Sequence, residues 1–288
     1  MTHTAEISRT HPLLFGFLID QSSSMGGEMA GSAGMLKSQI CADYLNAFFN
    51  TLLLRNIDGA TIKNRFEIFA IGYGGNNQIQ SALPNIDVNN MPINLEKLQT
   101  ISKVSSRERK IMRREPDGTG GIIEKEGLES VDINQWIEPI ADGVTPMGLA
   151  FRNAYSITQN WISSHSDCFP PIIINITDGD YTDEDPGPIA ENLKMLKTDD
   201  GDVLVFNISI THLPGKPVLF PDNSYLDSNP DAKSVMLYRM SSNLTENMIK
   251  YAGSRDIPIS QSSKGFAFNA DFAKFVDFLD IGTRPATC

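Results

Sequence analysis

The sequence predicts an α/β fold: a doubly wound, mainly parallel central sheet flanked by helices. Three observations predict it. Leu13–Ile19 (LLFGFLI), Phe66–Tyr73 (FEIFAIGY), Pro171–Thr177 (PIIINIT) and Val203–Ile210 (VLVFNISI) are short apolar runs without alternation, as in strands buried on both faces. Stretches of helical periodicity lie between them, and strands alternating with helices imply parallel βαβ crossovers. Small polar residues follow the first run directly. That is the composition of a loop at a strand's carboxyl end, where open α/β sheets bind ligands.

Taken in order, residues 1–12 read as a flexible tail and 13–288 as one domain with an insertion at about 84–135. After the first strand, Ser32–Arg55 is predicted as a helix. Its Leu36, Ile40, Leu45, Phe48, Phe49, Leu52 and Leu53 recur at steps that form one broad apolar face. Gly74–Asn77 signals a turn, and Gln78–Leu83 returns as an edge strand. Pro84, Pro92 and Pro116 break residues 84–135. A basic run (SKVSSRERKIMRR, 102–114) precedes an acidic one (124–132), and the segment reads as an insertion with its own short helices, the basic run being a solvated face. Ala150, Ala154, Ile157 and Trp161 mark the buried face of the next helix. A short helix is expected over Pro188–Lys197, another over Ser234–Ala252, a last strand over Gly265–Asn269 and a closing helix over Asp271–Leu279.

Composition narrows the function. A hydrophobic fraction of 41% and mean hydropathy of −0.19 belong to a globular protein. No apolar run approaches the roughly 20 residues of a membrane span. The N-terminus, MTHTAEISRTHP, lacks the apolar core of a secretory signal. Cys41, Cys168 and Cys288 are scattered and odd in number, which points to a reducing, cytoplasmic setting rather than a disulfide framework. A net charge of −11 argues against nucleic acid and against an anionic membrane surface as the main partner.

The chemistry sits in the loop after the first strand. Asp20, Ser22 and Ser24 alternate along LIDQSSSMG and present a carboxylate and two hydroxyls, hard oxygens of the kind that suit Mg²⁺, Mn²⁺ or Ca²⁺. Asp-x-Ser-x-Ser after a hydrophobic strand resembles the metal-ion-dependent adhesion site of von Willebrand factor type A domains. In that family a distant Thr and a distant Asp complete the motif. The matching positions here are Thr145 in GVTPMG and Asp178 in PIIINITDG. Each piece alone has a plainer reading: a polar loop, a helix N-cap before Pro146, an Asp-Gly turn. Their conjunction, in chain order, favours the site. The resemblance implies that Ser22, Ser24 and Thr145 bind the cation, Mg²⁺ foremost, directly, while Asp20 and Asp178 reach it through water. It also implies a binding module, not an enzyme, that docks an Asp or Glu carboxylate of a protein partner. The segments LYRMSSNL and GFAFNADFAKFVDFLDIGTR are similar to bacterial stand-alone type A domain proteins of the tellurite-resistance-associated kind. That implies a signalling or stress-response setting, with a metal-dependent protein phosphatase or a protein kinase as partner.

Three alternatives compete with this reading. A haloacid-dehalogenase-type phosphatase or phosphotransferase also ends a strand in Asp. It carries a second acid two residues on, where this chain has Ser22, and a lysine in the site that the sequence does not place. A serine hydrolase needs a Gly-flanked Ser and a His, and His3, His11, His165 and His212 lie in no such context. The run Asp178–Asp185 (DGDYTDED) fails as an EF-hand, because its sixth and twelfth places hold Asp183 and Ile189. It reads as an acidic rim that repels negatively charged partners.

Overall fold

A computed structural model describes residues 3–282 except 33, 117–121, 229 and 256, and of residues 107–132, 272, 273 and 282 it describes the backbone alone. In chain order the strands are β1 (Leu13–Gln21), β2 (Ile57–Asp58), β3 (Thr61–Ile62), β4 (Phe66–Gly74), β5 (Gln78–Ser81), β6 (Ile93–Asn94), β7 (Lys103–Pro116), β8 (Ile122–Gln135), β9 (Ile172–Thr177), β10 (Leu204–Ser209), β11 (Val218–Leu219) and β12 (Phe266–Phe268). The helices are α1 (Lys37–Asn56), α2 (Leu95–Ile101), α3 (Met147–Ser164), α4 (Pro186–Met195), α5 (Ala232–Met240), α6 (Glu246–Gly253) and α7 (Phe272–Gly282).

The main sheet runs β11-β12-β10-β9-β1-β4-β5, with β6 also on β4. The pairs β12-β10, β10-β9, β9-β1 and β1-β4 are parallel, while β5, β6 and β11 join antiparallel at the margins. This is the α/β class expected from the unalternating apolar runs. On β1, Leu13, Phe15, Phe17 and Ile19 face one core and Leu14 and Leu18 the other. Helices α1, α2, α6 and α7 cover the first face; α3, α4 and α5 cover the second. Each fully buried Phe, Ile or Leu contributes about 1.5–3 kcal/mol. Close layering fixes one glycine: a Cβ on Gly16 would lie 2.2 Å from Phe69 Cζ and 2.7 Å from Ile173 Cδ1.

Four expectations need correction. The tail is not loose along residues 3–12. Ile7 is buried in the core, and Asp200 accepts hydrogen bonds from the backbone N–H groups of Thr4 and Ala5 at 2.9 and 3.0 Å. Helix α1 begins at Lys37, five residues after Ser32, because Leu36 is held in a bridge with Glu28 directly before it. The expected helix over 234–252 is two helices. Ser242 exchanges hydrogen bonds with Val205 beside β10, and the Thr245 hydroxyl accepts from Met248 N at 3.3 Å and so starts α6.

The largest correction is in the insertion. Among its described residues it holds one short α-helix, α2, but its basic run is not helical. β7 and β8 form a hairpin of 14 residues per strand. The register sets Arg109 opposite Glu129 and Arg114 opposite Glu124, so the basic and acidic runs are the two arms of one ribbon. Opposite charges directly across a strand pair are stabilising. The base of the hairpin is fastened by Asn46 of α1. Its Oδ1 accepts from Trp136 N and Ile137 N at 2.8 and 2.9 Å, and its Nδ2 donates to Ile137 O at 2.9 Å. The expectations for Met1, Thr2 and Cys288 lie outside the described residues.

Candidate metal centre

The five parallel strands change direction of progression between β1 and β9: the chain moves from β1 to β4 on one side, then returns to β9 and continues through β10 to β12 on the other. Such a switch point leaves a crevice at the strands' carboxyl ends. Asp20 stands at the end of β1, and Asp178 directly follows β9. The strands are neighbours, in register from Phe15 on Ile172 to Ile19 on Ile176, so residues 157 positions apart meet: the Thr177 hydroxyl donates to Asp20 Oδ2 at 2.7 Å.

The loop after β1 is a 3-10 turn, Ser23–Gly26. It turns the alternating side chains of Ser22 and Ser24 toward each other, with their hydroxyl oxygens 3.0 Å apart. Asp20 Oδ1 accepts from Ser22 N at 2.9 Å. The Ser22 hydroxyl also favours the ionised form of Asp20, and the Ser24 hydroxyl favours that of Asp178. Asp20, Ser22 and Ser24 are thus joined by contacts, and Ser24 and Asp178 line one cleft across the switch point. Asp20, Ser22 and Asp178 are buried and Ser24 is exposed, which leaves the site open on one side.

Thr145 reaches this edge on a separate loop. Ser23 N donates to Gly143 O at 3.0 Å, Asp142 N donates to Gln21 O at 2.7 Å, and Gly75 N donates to Asp142 O at 2.8 Å. Gly143 is required there: its φ is +73°, and a Cβ would lie 1.8 Å from Gly75 O. Thr145 is buried and does not cap α3. That duty belongs to Asp183, whose carboxylate accepts from Gly148 N and Leu149 N at 3.1 and 2.8 Å. The plainer reading of Thr145 as a helix cap is thereby removed.

The two carboxylates differ in charge preference. Burial pushes Asp20 up to about 6, against hydrogen bonds from Ser22 and Thr177 that oppose it. Burial also raises Asp178, but the Lys37 ammonium and the Ser24 hydroxyl outweigh it and hold that carboxyl below its ordinary value. Lys37 Nζ lies 2.6 Å from Asp178 Oδ2, with 3% and 7% of the two side chains exposed. Sequence reasoning missed Lys37, because an early helix start placed it within a helix that begins with it. A lysine is almost never so buried unless paired, yet nothing local to Lys37 names its partner.

The acidic rim also resolves differently. Asp180 pairs with Lys233 at 2.6 Å, Glu184 with Arg152, Asp183 caps α3, and Asp185 caps α4 by accepting from Gly187 N at 2.9 Å. These acids serve the fold around the site, so the repulsive role expected of them has no support. His165 stacks on Trp161 at 4.3 Å, away from the site.

The donor set fits a hard divalent cation. It offers carboxylate and hydroxyl oxygens without sulfur or imidazole, and Asp178 Oδ1 is buried without a hydrogen-bond partner among the described residues. No cluster of three or more His, Cys, Asp or Glu side chains arranged for a metal occurs among those residues, so any such site here depends on the hydroxyls. Beneath the site, buried side chains form a polar line across the sheet: Tyr73 donates to Asn175 at 2.8 Å, Asn175 to Asn207 at 3.0 Å, and Asn207 to Ser241 at 3.0 Å. Satisfied networks of this kind hold strand ends in fixed relation.

No helix among the described residues is long and apolar enough to cross a membrane. No family model matches the chain, and no curated protein matches it by sequence. Among solved structures, the chain is similar to the PilB minor pilin from Streptococcus sanguinis, with a TM-score of 0.47 and 10% identity over 94% of this chain and 60% of that one. It thus spans 60% of the pilin's length. It is also similar to an aerotolerance-related membrane protein from Bacteroides fragilis NCTC 9343 carrying multiple mutations to serines, with a TM-score of 0.39 and 12% identity over 85% of this chain and 98% of that one. Both likenesses are too distant to bear on function.

Proposed function

We propose that the chain is a metal-dependent protein-binding module of the von Willebrand factor type A kind. A divalent cation, Mg²⁺ foremost, is held at the switch point by Ser22, Ser24 and Thr145, with Asp20 and Asp178 acting through water. The observation that carries this reading is the convergence of Asp20, Ser22 and Ser24 with Asp178 at the neighbouring ends of β1 and β9, where one buried Asp178 carboxylate oxygen has no partner among the described residues. Hydroxyl ligands leave most of the cation's charge uncompensated, and its octahedral shell has room for a ligand from outside. An Asp or Glu of a protein partner fills that place. The partner we favour is a metal-dependent protein phosphatase or a protein kinase in a bacterial cytoplasmic stress response of the tellurite-resistance kind.

The test is thermal unfolding with EDTA against MgCl2 or MnCl2. At ten times its dissociation constant, a ligand of the folded state adds about 1.4 kcal/mol, a melting shift on the order of 3–5 °C. The shift is expected in the wild type and absent in Ser22→Ala and Thr145→Ala. Equal melting with and without metal across a wide concentration range sinks the reading. One observation favours a second reading, a metal-dependent phosphatase or other hydrolase: Lys37 stands in the site, where such enzymes keep a lysine. Ser22 still occupies the place of their second acid. Metal-dependent turnover of a generic phosphate ester, lost in Asp20→Asn, would select it.

A further inference from the structure

We infer that Lys37 is a tethered cation that competes with the divalent ion for Asp178, so that loading the site releases the amine into the adjoining cleft. The inference rests on the metal reading above and concerns how that site is tuned. Lys37 is the first residue of α1, and its backbone N–H is held by Gly27 O at 2.9 Å. From there the side chain runs inward until Nζ meets Asp178 Oδ2 at 2.6 Å. The pair bridges 141 residues of sequence and is buried on both sides.

Two cations cannot share this carboxylate without cost. An ammonium on Oδ2 and a divalent ion drawn to the same group repel each other in a region where water screens poorly. Lys37 supplies one positive charge to a site with two acids and so lowers its demand for a second. The cleft beside it, about 490 Å³, is lined by Ser24, Gly27, Lys37, Asp178, Asp180 and Lys233 among others, which gives the displaced amine somewhere to go. Lys233 does not play this part: it pairs with Asp180 at half exposure, where solvent already screens it. Lys37 thus sets a threshold for loading, and only a cation of higher charge density draws Asp178 away from it through the cation's bound water.

Two measurements on the full chain decide this. The first is Mn²⁺ affinity by titration calorimetry for wild type, Lys37→Gln and Lys37→Arg. Removing the competing charge is expected to tighten Mn²⁺ binding about 10- to 100-fold in Lys37→Gln, and Lys37→Arg, which keeps the charge, is expected to stay near wild type. The second needs no variant. Wild-type protein is acylated with an amine reagent in EDTA and in saturating Mn²⁺ at equal ionic strength, and modification is read at each lysine by mass spectrometry. Lys37 labelling is expected to rise with Mn²⁺, while Lys63, paired with Asp58 at 2.8 Å on the β2-β3 side, stays constant. Unchanged or weaker Mn²⁺ binding in Lys37→Gln, or Lys37 still protected at saturation, overturns the inference and leaves the metal reading standing. Absence of Mn²⁺ binding in the wild type overturns both.

Discussion

The carboxyl ends of β1 and β9 lie side by side, and each delivers an aspartate to the same crevice. Asp20 is surrounded by neutral donors: Ser22 N, the Ser22 hydroxyl and the Thr177 hydroxyl. Asp178 receives a full positive charge from Lys37. The first carboxyl is pushed up to about 6, and the second is held below its ordinary value. Neutral hydrogen bonds moderate the desolvation of a buried carboxylate but do not cancel it, whereas an ammonium in contact does. The β1 side of the site is therefore short of positive charge, and the β9 side is supplied with it. An incoming cation gains most at Asp20 and meets a rival at Asp178.

The largest effect that tests this contrast comes from deleting one carboxylate at a time. Asp178→Ala leaves the Lys37 ammonium buried and unpaired, and is expected to destabilise by about 3–5 kcal/mol in urea unfolding. Combining Lys37→Met with Asp178→Leu, which removes both charges, is expected to recover most of the loss. Asp20→Asn keeps an acceptor oxygen for Ser22 N, lets its amide donate to the Thr177 hydroxyl instead of accepting from it, and removes a costly charge, so in EDTA at pH 8 it is expected to be neutral or stabilising. Equal destabilisation by Asp178→Ala and Asp20→Asn would erase the difference between the two strand ends.

Proton linkage gives the next largest effect. Because the folded-state value of Asp20 lies above its unfolded value, folding favours its protonated form. That contribution is fully present below the unfolded value, about 3.9, and is lost as pH rises through about 6. A shift of this size is worth at most about 3 kcal/mol. Asp178 acts in the opposite sense. Its pairing contributes above the unfolded value and is lost as pH falls through the lowered one, so its window lies below about pH 4. In EDTA between pH 4.5 and 8, the wild type is expected to lose stability relative to Asp20→Asn as pH rises, with most of the change complete near pH 7. A difference that does not change with pH would show that Asp20 is ionised at no cost.

The smallest effect serves as a control far from the strand ends. Arg109→Glu sets like charges opposite each other in the β7-β8 ribbon, at the Arg109–Glu129 position. The expected cost is about 0.2–1 kcal/mol, recovered by adding Glu129→Arg, with Mn²⁺ affinity unchanged. A change in metal affinity would tie the ribbon to the site.

The sequence by itself determined the buried strands, because residues enclosed on both faces must be apolar in an unbroken run, and that pattern is local. It determined the alternation of those core strands with their flanking helices for the same reason. It also marked Asp20, Ser22 and Ser24 as hard oxygens after an apolar strand, while Thr145 and Asp178 were named through the resemblance to the type A motif, and the structure brings Asp20, Ser22, Ser24 and Asp178 to one crevice. Tertiary structure alone decided the charge of that crevice. Lys37 and Asp178 are 141 residues apart, and no periodicity links them. It also decided that the basic and acidic runs of the insertion are two arms of a hairpin, because the register sets Arg109 opposite Glu129, a pairing that no helical spacing announces. The split between α5 and α6 is of the same kind: Ser242 bonds to Val205 across 37 residues, a contact that overrides the helical pattern on either side. Patterns of burial are written along the chain, while the partner of a buried charge or of a strand edge is chosen where distant segments meet.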